Sequence, residues 1–250
     1  MRPPSSETGP IGLGLDDLDR RGRFSDRRDR KYVVDDHVAD DLVRTFADRI
    51  GVLEIDGRRS FRYETTYFDT PDLDLFVAAA RGRRRRYKIR KRLYVDSATA
   101  VCEVKTTEGL GRTVKHRRPT DPRDLAVLDP GDRAFAAGAI GDHPLPAVLL
   151  PTLTTAYRRT TALENDDGFR MTIDRHLVCT DVNGRAVHLD GHVVIEVKST
   201  ASRTEVDRWL WAHGSRPVRF SKYATALAAT RDLVHHRWHR QLRLLAPADT

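Results

Sequence analysis

The sequence predicts an α+β fold, an antiparallel sheet that is charged on one face and covered by helices on the other. Three observations lead there. Strand-like runs and helical runs do not alternate regularly, which excludes a parallel sheet built from βαβ units. Alternate residues from Arg86 read Arg86, Lys88, Arg90, Arg92 and Tyr94, while the other set reads Tyr87, Ile89, Lys91, Leu93 and Val95. Successive side chains of a strand point to opposite faces, so one face is cationic and the other mostly apolar. The same segregation recurs where Asp29 pairs with Lys31, Glu103 with Lys105, Arg170 with Asp174, and Glu196 with Lys198. One such strand reads as a solvated face with cross-strand ion pairs. Their repetition, each with an apolar opposite side, predicts a sheet that tends to close into a barrel around a charged lumen, with helices packed outside it.

The elements follow in order. Residues 1–26 are rich in Pro, Gly, Ser, Asp and Arg and read as a flexible leader. Asp29 to Val34 forms a first strand. Asp35 or Asp36 can cap a helix that runs to about Arg49, with Val38, Leu42, Val43, Phe46 and Ile50 at helical spacing and Gly51 as its stop. Phe61 to Phe68 reads as a strand closed by turn residues Asp69-Thr70-Pro71-Asp72, and Leu73 to Ala80 as one or two helical turns. The basic strand from Arg86 and the strand Ala100 to Lys105 make a hairpin. Arg112 to Arg118 is a third strand, ended by Pro119, and helices and loops are expected from Asp121 to about Leu150. Pro151 to Leu163 and Gly168 to Asp174 are strands. Val178 to Val182 and His188-Leu189 are short strands around the Asn183-Gly184 turn. Val193 to Lys198 repeats the Glu-Val-Lys of residues 103–105, which suggests a pseudo-duplicated sheet. Arg203 to His213 is a helix, Arg219 to Tyr223 a strand end or loop, and Ala224 to Leu245 a closing helix. The expected organisation is thus a leader over 1–26, one domain over 27–245 and a tail over 246–250.

The 250 residues are 39% hydrophobic and 32% charged, enough for a normal core, and the net charge of +8 implies an anionic partner. Arginine exceeds lysine, which favours bidentate phosphate recognition, although a coding bias toward arginine accounts equally well for the scattered ones. Cys102 and Cys179 are the sole cysteines, so no disulfide framework is expected and a reducing cytoplasmic setting is the simpler reading. No apolar run is long enough for a membrane span, and Met1 to Arg20 lacks a signal-peptide core.

Clustered Arg and Lys repel one another, so an anion must offset their charge. Carboxylates among cations suit a hard divalent metal, which binds through a few oxygens plus phosphate. Together these fit phosphoryl transfer, which needs charge clamps on phosphate oxygens more than covalent partners. Gly12-Leu13-Gly14 lacks the Gly-Lys-Ser/Thr ending of a P-loop. The histidines lack His-Glu-x-x-His spacing, and His235, His236 and His239 read as surface residues of the last helix.

Seven short segments carry a family resemblance. They are Thr66-Tyr67-Phe68-Asp69-Thr70, Tyr87 to Tyr94, Glu103-Val104-Lys105, Tyr157-Arg158-Arg159-Thr160, Arg170 to Asp174, Ile195 to Lys198, and Arg219-Phe220-Ser221-Lys222-Tyr223. In this order and spacing the chain resembles the VTC domain, the polyphosphate polymerase domain of the vacuolar transporter chaperone complex, from about Asp26 to Leu233. The resemblance implies a place among the triphosphate tunnel metalloenzymes and an antiparallel tunnel of about eight strands. It implies ATP-dependent polyphosphate synthesis with Mn²⁺ or Mg²⁺, in which the γ-phosphate passes to a growing chain and ADP leaves. Carried over residue by residue, it implies catalytic roles for Arg90, Arg92, Lys105, Arg159 and Lys222. It implies substrate contacts for Lys31, Lys88, Lys115, Lys198, Arg219 and Ser221, and metal binding for Glu196. Lys198 can equally be a support for its neighbours. The chain departs from the family at Asp29, where Glu is usual, at Arg219, where Lys is frequent, and at Thr161-Ala162, which replace Ala-Phe. Glu103 is read as holding Lys and Arg side chains rather than touching metal. Tyr67 and Phe68 are read as core.

Within the same fold, a triphosphatase or polyphosphatase is the alternative, and a non-catalytic polyphosphate-binding module is a second. Nucleic acid is disfavoured because no aromatic-rich stacking platform accompanies the basic strand. Eukaryotic relatives join this domain to a membrane pore, so a separately encoded membrane partner is also considered. Arg81 and Arg83 to Arg85 precede the core motif and are expected at a tunnel mouth or on the surface, where they would attract anions.

Overall fold

A computed structural model describes residues 9–21, 28–108, 112–166, 168–231, 233 and 238–248. In chain order the elements begin with β1 (Ile11–Leu13), α1 (Leu15–Arg21), β2 (Arg28–Asp35), α2 (Asp36–Thr45), β3 (Ile50–Leu53) and β4 (Phe61–Asp69). They continue with α3 (Asp74–Ala80), β5 (Arg86–Tyr94), β6 (Thr99–Glu108), β7 (Arg112–Thr120), α4 (Pro130–Ile140), β8 (Leu150–Glu164) and β9 (Arg170–Asp181). The chain then forms β10 (Ala186–Leu189), β11 (His192–Ser199), α5 (Glu205–Ala212), α6 (Lys222–Thr230), α7 (His239–Leu242) and β12 (Leu245–Pro247). The ladders β2–β11, β9–β11, β9–β10, β10–β12, β3–β8, β4–β5, β5–β6 and β6–β7 are antiparallel, whereas β1 runs parallel to β3. The class is therefore α+β, as the sequence predicts.

The pairing order is β12-β10-β9-β8-β4-β5-β6-β7, with β11 joining β9 to β2 and β3 joining β8 to β1. Twelve strands take part rather than about eight. The surplus comes from β1, β3, β10 and β12, which are only three or four residues long. An eight-strand path, β2-β11-β9-β8-β4-β5-β6-β7, is present within that order. Among the described residues no ladder joins β2 to β7, so the sheet is not closed into the expected barrel.

The chain forms two compact units. The first takes Met1–Phe61, Arg158–Arg175 and Gly191–Val218. Its core gathers Tyr32 and Val34 of β2, Leu42 of α2, Met171 and Ile173 of β9, Val193, Ile195 and Val197 of β11, and Val206 and Leu210 of α5. These β2, β9 and β11 positions alternate with the charged ones, so burying one side turns Lys31, Glu196 and Thr172 to the other. Helix α5 is fixed by a capping box in which Thr204 and Asp207 satisfy each other's backbone N–H. Asp207 also accepts bonds from Tyr32 Oη at 2.7 Å and Arg30 Nε at 2.8 Å.

The second unit takes Arg62–Tyr157, His176–Asp190 and Arg219–Thr250. Phe68, Ile89, Cys102 and Val104 pack there with Leu128, Ala136 and Ile140 of the α4 region. Helix α4 starts at Asp129, whose side chain accepts the Asp132 N–H at 2.7 Å, with Pro130 in its first turn. Cys102 and Cys179 are buried free thiols, and burial pushes both up to about 12, so neither is a thiolate at neutral pH. Among the described residues no helix is long and apolar enough to cross a membrane.

Several element limits differ from expectation. The leader read over 1–26 contains β1 and α1, because Leu13 and Leu18 bury themselves with Leu53 and Leu163. Helix α2 ends at Thr45 rather than Arg49, and Gly51 lies inside β3 instead of stopping the helix. A Cβ on Gly51 would stand 2.5 Å from the Leu13 side chain, so this glycine allows the close approach of β1. Pro119 lies within β7, where it is tolerated because β7 pairs with β6 alone among the described residues. The separate strand expected at Val178 to Val182 is instead the end of the continuous β9, and the closing helix is divided into α6 and α7, followed by β12. His235 and His236, and the side chain of His239, lie outside the described residues.

Candidate functional site

The register of the second unit assembles rows of charge across β5, β6 and β7. Lys88 stands opposite Lys105, which stands opposite Lys115. The next row is Arg90, Glu103 and Arg117, and the one after begins at Arg92. Direct partners in antiparallel strands have their Cβ atoms about 5 Å apart on one face, so the members of each row are neighbours.

Glu103 is the hub. It is 1% exposed. Its Oε2 accepts Arg90 Nε at 2.7 Å and lies 3.5 Å from Arg92 Nη1. Its Oε1 accepts Arg117 Nε at 2.8 Å and lies 3.7 Å from Lys115 Nζ. Burial acts to raise its pKa, but Arg90, Arg92, Lys115 and Arg117 outweigh it and hold the carboxyl well below the usual range. Burial acts against the Arg90 charge, and Glu103 outweighs that too. One carboxylate thus meets four cations, which leaves the cluster strongly positive.

Aromatic rings frame the same cations. Tyr67 Oη accepts Arg90 Nη1 at 3.2 Å, and the guanidinium lies 5.8 Å from the Tyr67 ring centre. Arg92 lies 5.7 Å from the Tyr63 ring and donates to Thr65 Oγ1 at 3.3 Å. Ser221 caps α6 by accepting the Ala224 N–H, and accepts Lys88 Nζ at 2.9 Å. Lys222, the first residue of α6, places Nζ 4.7 Å from the Tyr157 ring centre. Lys105 and Arg219 are exposed.

The first unit carries a different cluster across β2, β11 and β9. Lys31 stands opposite Glu196, which stands opposite Thr172. Asp29, Lys198 and Arg170 form the neighbouring row. Glu196 Oε1 accepts Lys31 Nζ at 2.7 Å and lies 3.6 Å from Lys198 Nζ. Burial acts to raise the Glu196 pKa, while Lys31 and Lys198 hold it well below the usual range. Burial brings Lys198 down to about 8, against the pull of Glu196 and Asp29. Arg159 makes a two-point bond to Asp174, Nε to Oδ1 at 2.6 Å and Nη2 to Oδ2 at 2.8 Å.

The sequence-predicted residues therefore fall into two sets. Lys88, Arg90, Arg92, Lys105, Lys115, Arg219, Ser221 and Lys222 belong to the second unit, and Lys31, Arg159, Glu196 and Lys198 to the first. Sequence reasoning missed Arg117, although it follows Lys115 by two along the same strand and so shares its face. It also missed the aromatic partners of the cations, because Tyr67 reads as core from its neighbours.

Among the described residues no group of three or more His, Cys, Asp or Glu is placed to hold a metal. Mg²⁺ and Mn²⁺ do not require one, since they keep waters and take phosphate oxygens beside one or two carboxylates. Glu196, ionised and a hard oxygen donor, fits that mode.

The family model described as the VTC domain matches residues 26–231. A search of curated proteins finds no match. Among solved structures, the chain is similar to a Hippeastrum protein described as a candidate adenylyl cyclase with a dominant triphosphatase activity, at 16% identity and TM-score 0.48, over 83% of this chain and 99% of that one. It is similar to a candidate adenylate cyclase from Vibrio parahaemolyticus, at 13% identity and TM-score 0.43, over 91% and 95% of the two chains. A Pyrococcus horikoshii OT3 protein is similar at 12% identity and TM-score 0.39, over 75% and 87%.

Proposed function

The chain belongs to the VTC domain family, and from that membership we propose that it is a metal-dependent polyphosphate polymerase of the triphosphate tunnel kind. It uses ATP as phosphoryl donor, extends a polyphosphate chain and releases ADP. The observation that carries this reading is the Glu103 cluster, where four cations surround one buried carboxylate and call for a polyanion. Transfer breaks the bond between the γ-phosphorus and the oxygen that leaves with ADP. It forms one to a terminal oxygen of the acceptor chain, so charge shifts among phosphate oxygens and fixed cations are the main catalytic need.

Arg90 and Arg92 are the triphosphate clamp. Glu103 fixes them without cancelling their charge, so they are oriented before substrate arrives. Lys88, Lys105 and Lys115 continue the cationic row beside them and steady further phosphates. Lys222 supplies an ammonium at the start of α6, over the Tyr157 ring, and Ser221 holds Lys88 in place; Arg219 adds exposed positive charge for substrate capture. In the first unit, Glu196 would hold the divalent cation, with Lys31 and Lys198 keeping it ionised and Arg159 anchored on Asp174. A divalent cation there would supply charge neutralisation to phosphate oxygens bound at that unit.

Incubation of the purified protein with ATP and Mn²⁺ tests the reading. Long acid-labile polymer together with ADP supports it. Free phosphate without polymer sinks it in favour of a triphosphatase, and tight, salt-dependent binding of polyphosphate with no turnover would make the chain a binding module.

A further inference from the structure

Each arginine of the proposed clamp rests on a tyrosine of β4, and each of those tyrosines stacks on a second one. Tyr67 takes Arg90 at its hydroxyl and its ring, and stacks on Tyr223 of α6 with centres 5.0 Å apart. Tyr63 takes Arg92, and stacks on Tyr157 of β8 with centres 5.3 Å apart and planes within 11°. Tyr157 in turn carries Lys222. The Tyr223 end is anchored to Asp69, a carboxylate with no exposure. Asp69 accepts the Tyr223 hydroxyl, and it accepts the N–H groups of Thr70, Leu75 and Phe76 at 2.7 to 2.8 Å. Two stacked pairs therefore connect the β5 arginines to the first turn of α6, which carries Ser221 and Lys222.

The electrostatic problem these pairs solve is specific. Like charges this close repel, and a single carboxylate cannot compensate four cations. A ring face attracts a cation without adding an anion, so it offsets repulsion while leaving the net positive charge for a ligand. Stacked rings are also stiff, with two side-chain torsions each, so they fix position at low entropic cost.

We infer that Tyr63, Tyr67, Tyr157 and Tyr223 are positioning residues that hold Arg90, Arg92 and Lys222 in their anion-binding arrangement before any phosphate is bound, with Asp69 as their fixed end. This rests on the phosphate-binding reading of the second unit. It goes beyond that reading in assigning preorganisation to the aromatic pairs rather than to Glu103 alone.

Titration calorimetry of the full chain with inorganic tripolyphosphate, without nucleotide, tests it through double-mutant cycles. Tyr67→Phe keeps the stack and removes the bond to Arg90. It should weaken binding about fivefold in the parent protein and less than twofold when Arg90→Ala is also present. Tyr157→Leu removes the ring under Lys222 and should weaken binding about tenfold, Tyr157→Phe should restore most of it, and Lys222→Ala should erase the difference. Equal losses in both backgrounds, or no loss in either, overturn the inference. If the parent protein does not bind tripolyphosphate, the phosphate-binding reading itself fails and takes this inference with it. Parent binding with additive losses overturns the inference alone. Should Tyr157→Leu lower the melting temperature, the Tyr67→Phe cycle decides.

Discussion

Strands β6 and β11 both read Glu-Val-Lys, with Glu103 buried and Glu196 half-buried, and the two carboxylates keep different company. Glu103 of β6 meets Arg90, Arg92, Lys115 and Arg117, so its cluster retains an excess of positive charge. Glu196 of β11 meets Lys31 and Lys198, and the nearby Arg159 is taken up by Asp174. Its cluster holds two lysines to one carboxylate. The lysines two residues on differ as well. Lys105 is exposed, whereas the Lys198 side chain is only 22% exposed and its charge is weakened by burial. One sequence pattern thus yields a carboxylate ringed by four cations and another met by two lysines. The register of the neighbouring strands decides which, since β5 and β7 bring arginines to Glu103 while β2 and β9 bring a lysine and a threonine to Glu196.

Four substitutions or titrations would break or sharpen that contrast. The largest effect is expected from Glu196→Gln, which should lower turnover with ATP and Mn²⁺ by at least about a hundredfold. Tripolyphosphate affinity should stay near that of the parent protein, the melting temperature should fall less than for Glu103→Gln because two lysines rather than four cations lose their partner, and retained turnover would remove Glu196 from the metal site. Glu103→Gln should instead cost about 3 kcal/mol in chemical denaturation, because it strands buried cations. Added tripolyphosphate should stabilise the variant more than the parent protein, because its phosphates pair the stranded cations, whereas after a merely cavity-making change the two gains would be equal.

Acid titration should separate the clusters next. Both glutamates have folded pKa values below the ordinary 4.5, so their stabilisation is complete above about that pH and drains away as pH falls further. Protonating Glu103 strands four cations and protonating Glu196 two, so Glu103→Gln should flatten the denaturation midpoint against pH below 4.5 more than Glu196→Gln does. The smallest effect is expected from Arg117→Ala. Its side chain is 47% exposed, so tripolyphosphate affinity should fall only several-fold, with a shallower salt dependence. An unchanged salt slope would place Arg117 outside the anion site.

Much of this contrast was legible in the sequence. Alternation along β5 put Arg90 and Arg92 on one face, and the repeated Glu-Val-Lys drew attention to Glu103 and Glu196. Glu103 reads as holding Lys and Arg side chains, and its contacts with Arg90, Arg92, Lys115 and Arg117 agree. What alternation cannot supply is pairing register, and register is what brings Arg117 into the Glu103 row and Thr172 beside Glu196. The aromatic pairs were illegible for a related reason. Tyr67 and Tyr223 are 156 residues apart and meet only through the packing of α6 on β4. The short pieces β1 and β3 were missed because three or four residues carry too little periodicity, and Gly51 reads locally as a helix stop although a contact with Leu13 is what requires it.

Lys91 shows how β5 can be rich in cations on both faces and still settle in one alignment. It is 1% exposed, on the side opposite Arg90 and Arg92, with Nζ 3.0 Å from Asp132 Oδ2 and 2.9 Å from the Val127 carbonyl. Arg118 and Thr120 complete the ring around Asp132, each at 2.9 Å. A frameshift of one residue would exchange the two faces, and the run Arg90-Lys91-Arg92 would still offer positive charge to phosphate. Only the misaligned version would leave Asp132 buried without its ammonium and push two guanidinium groups among Ile140 and Leu128. The interior salt bridge, of little net value to stability, acts as a proofreading contact for the strand. It penalises the one misassembly that the charged face by itself could not tell from the correct one.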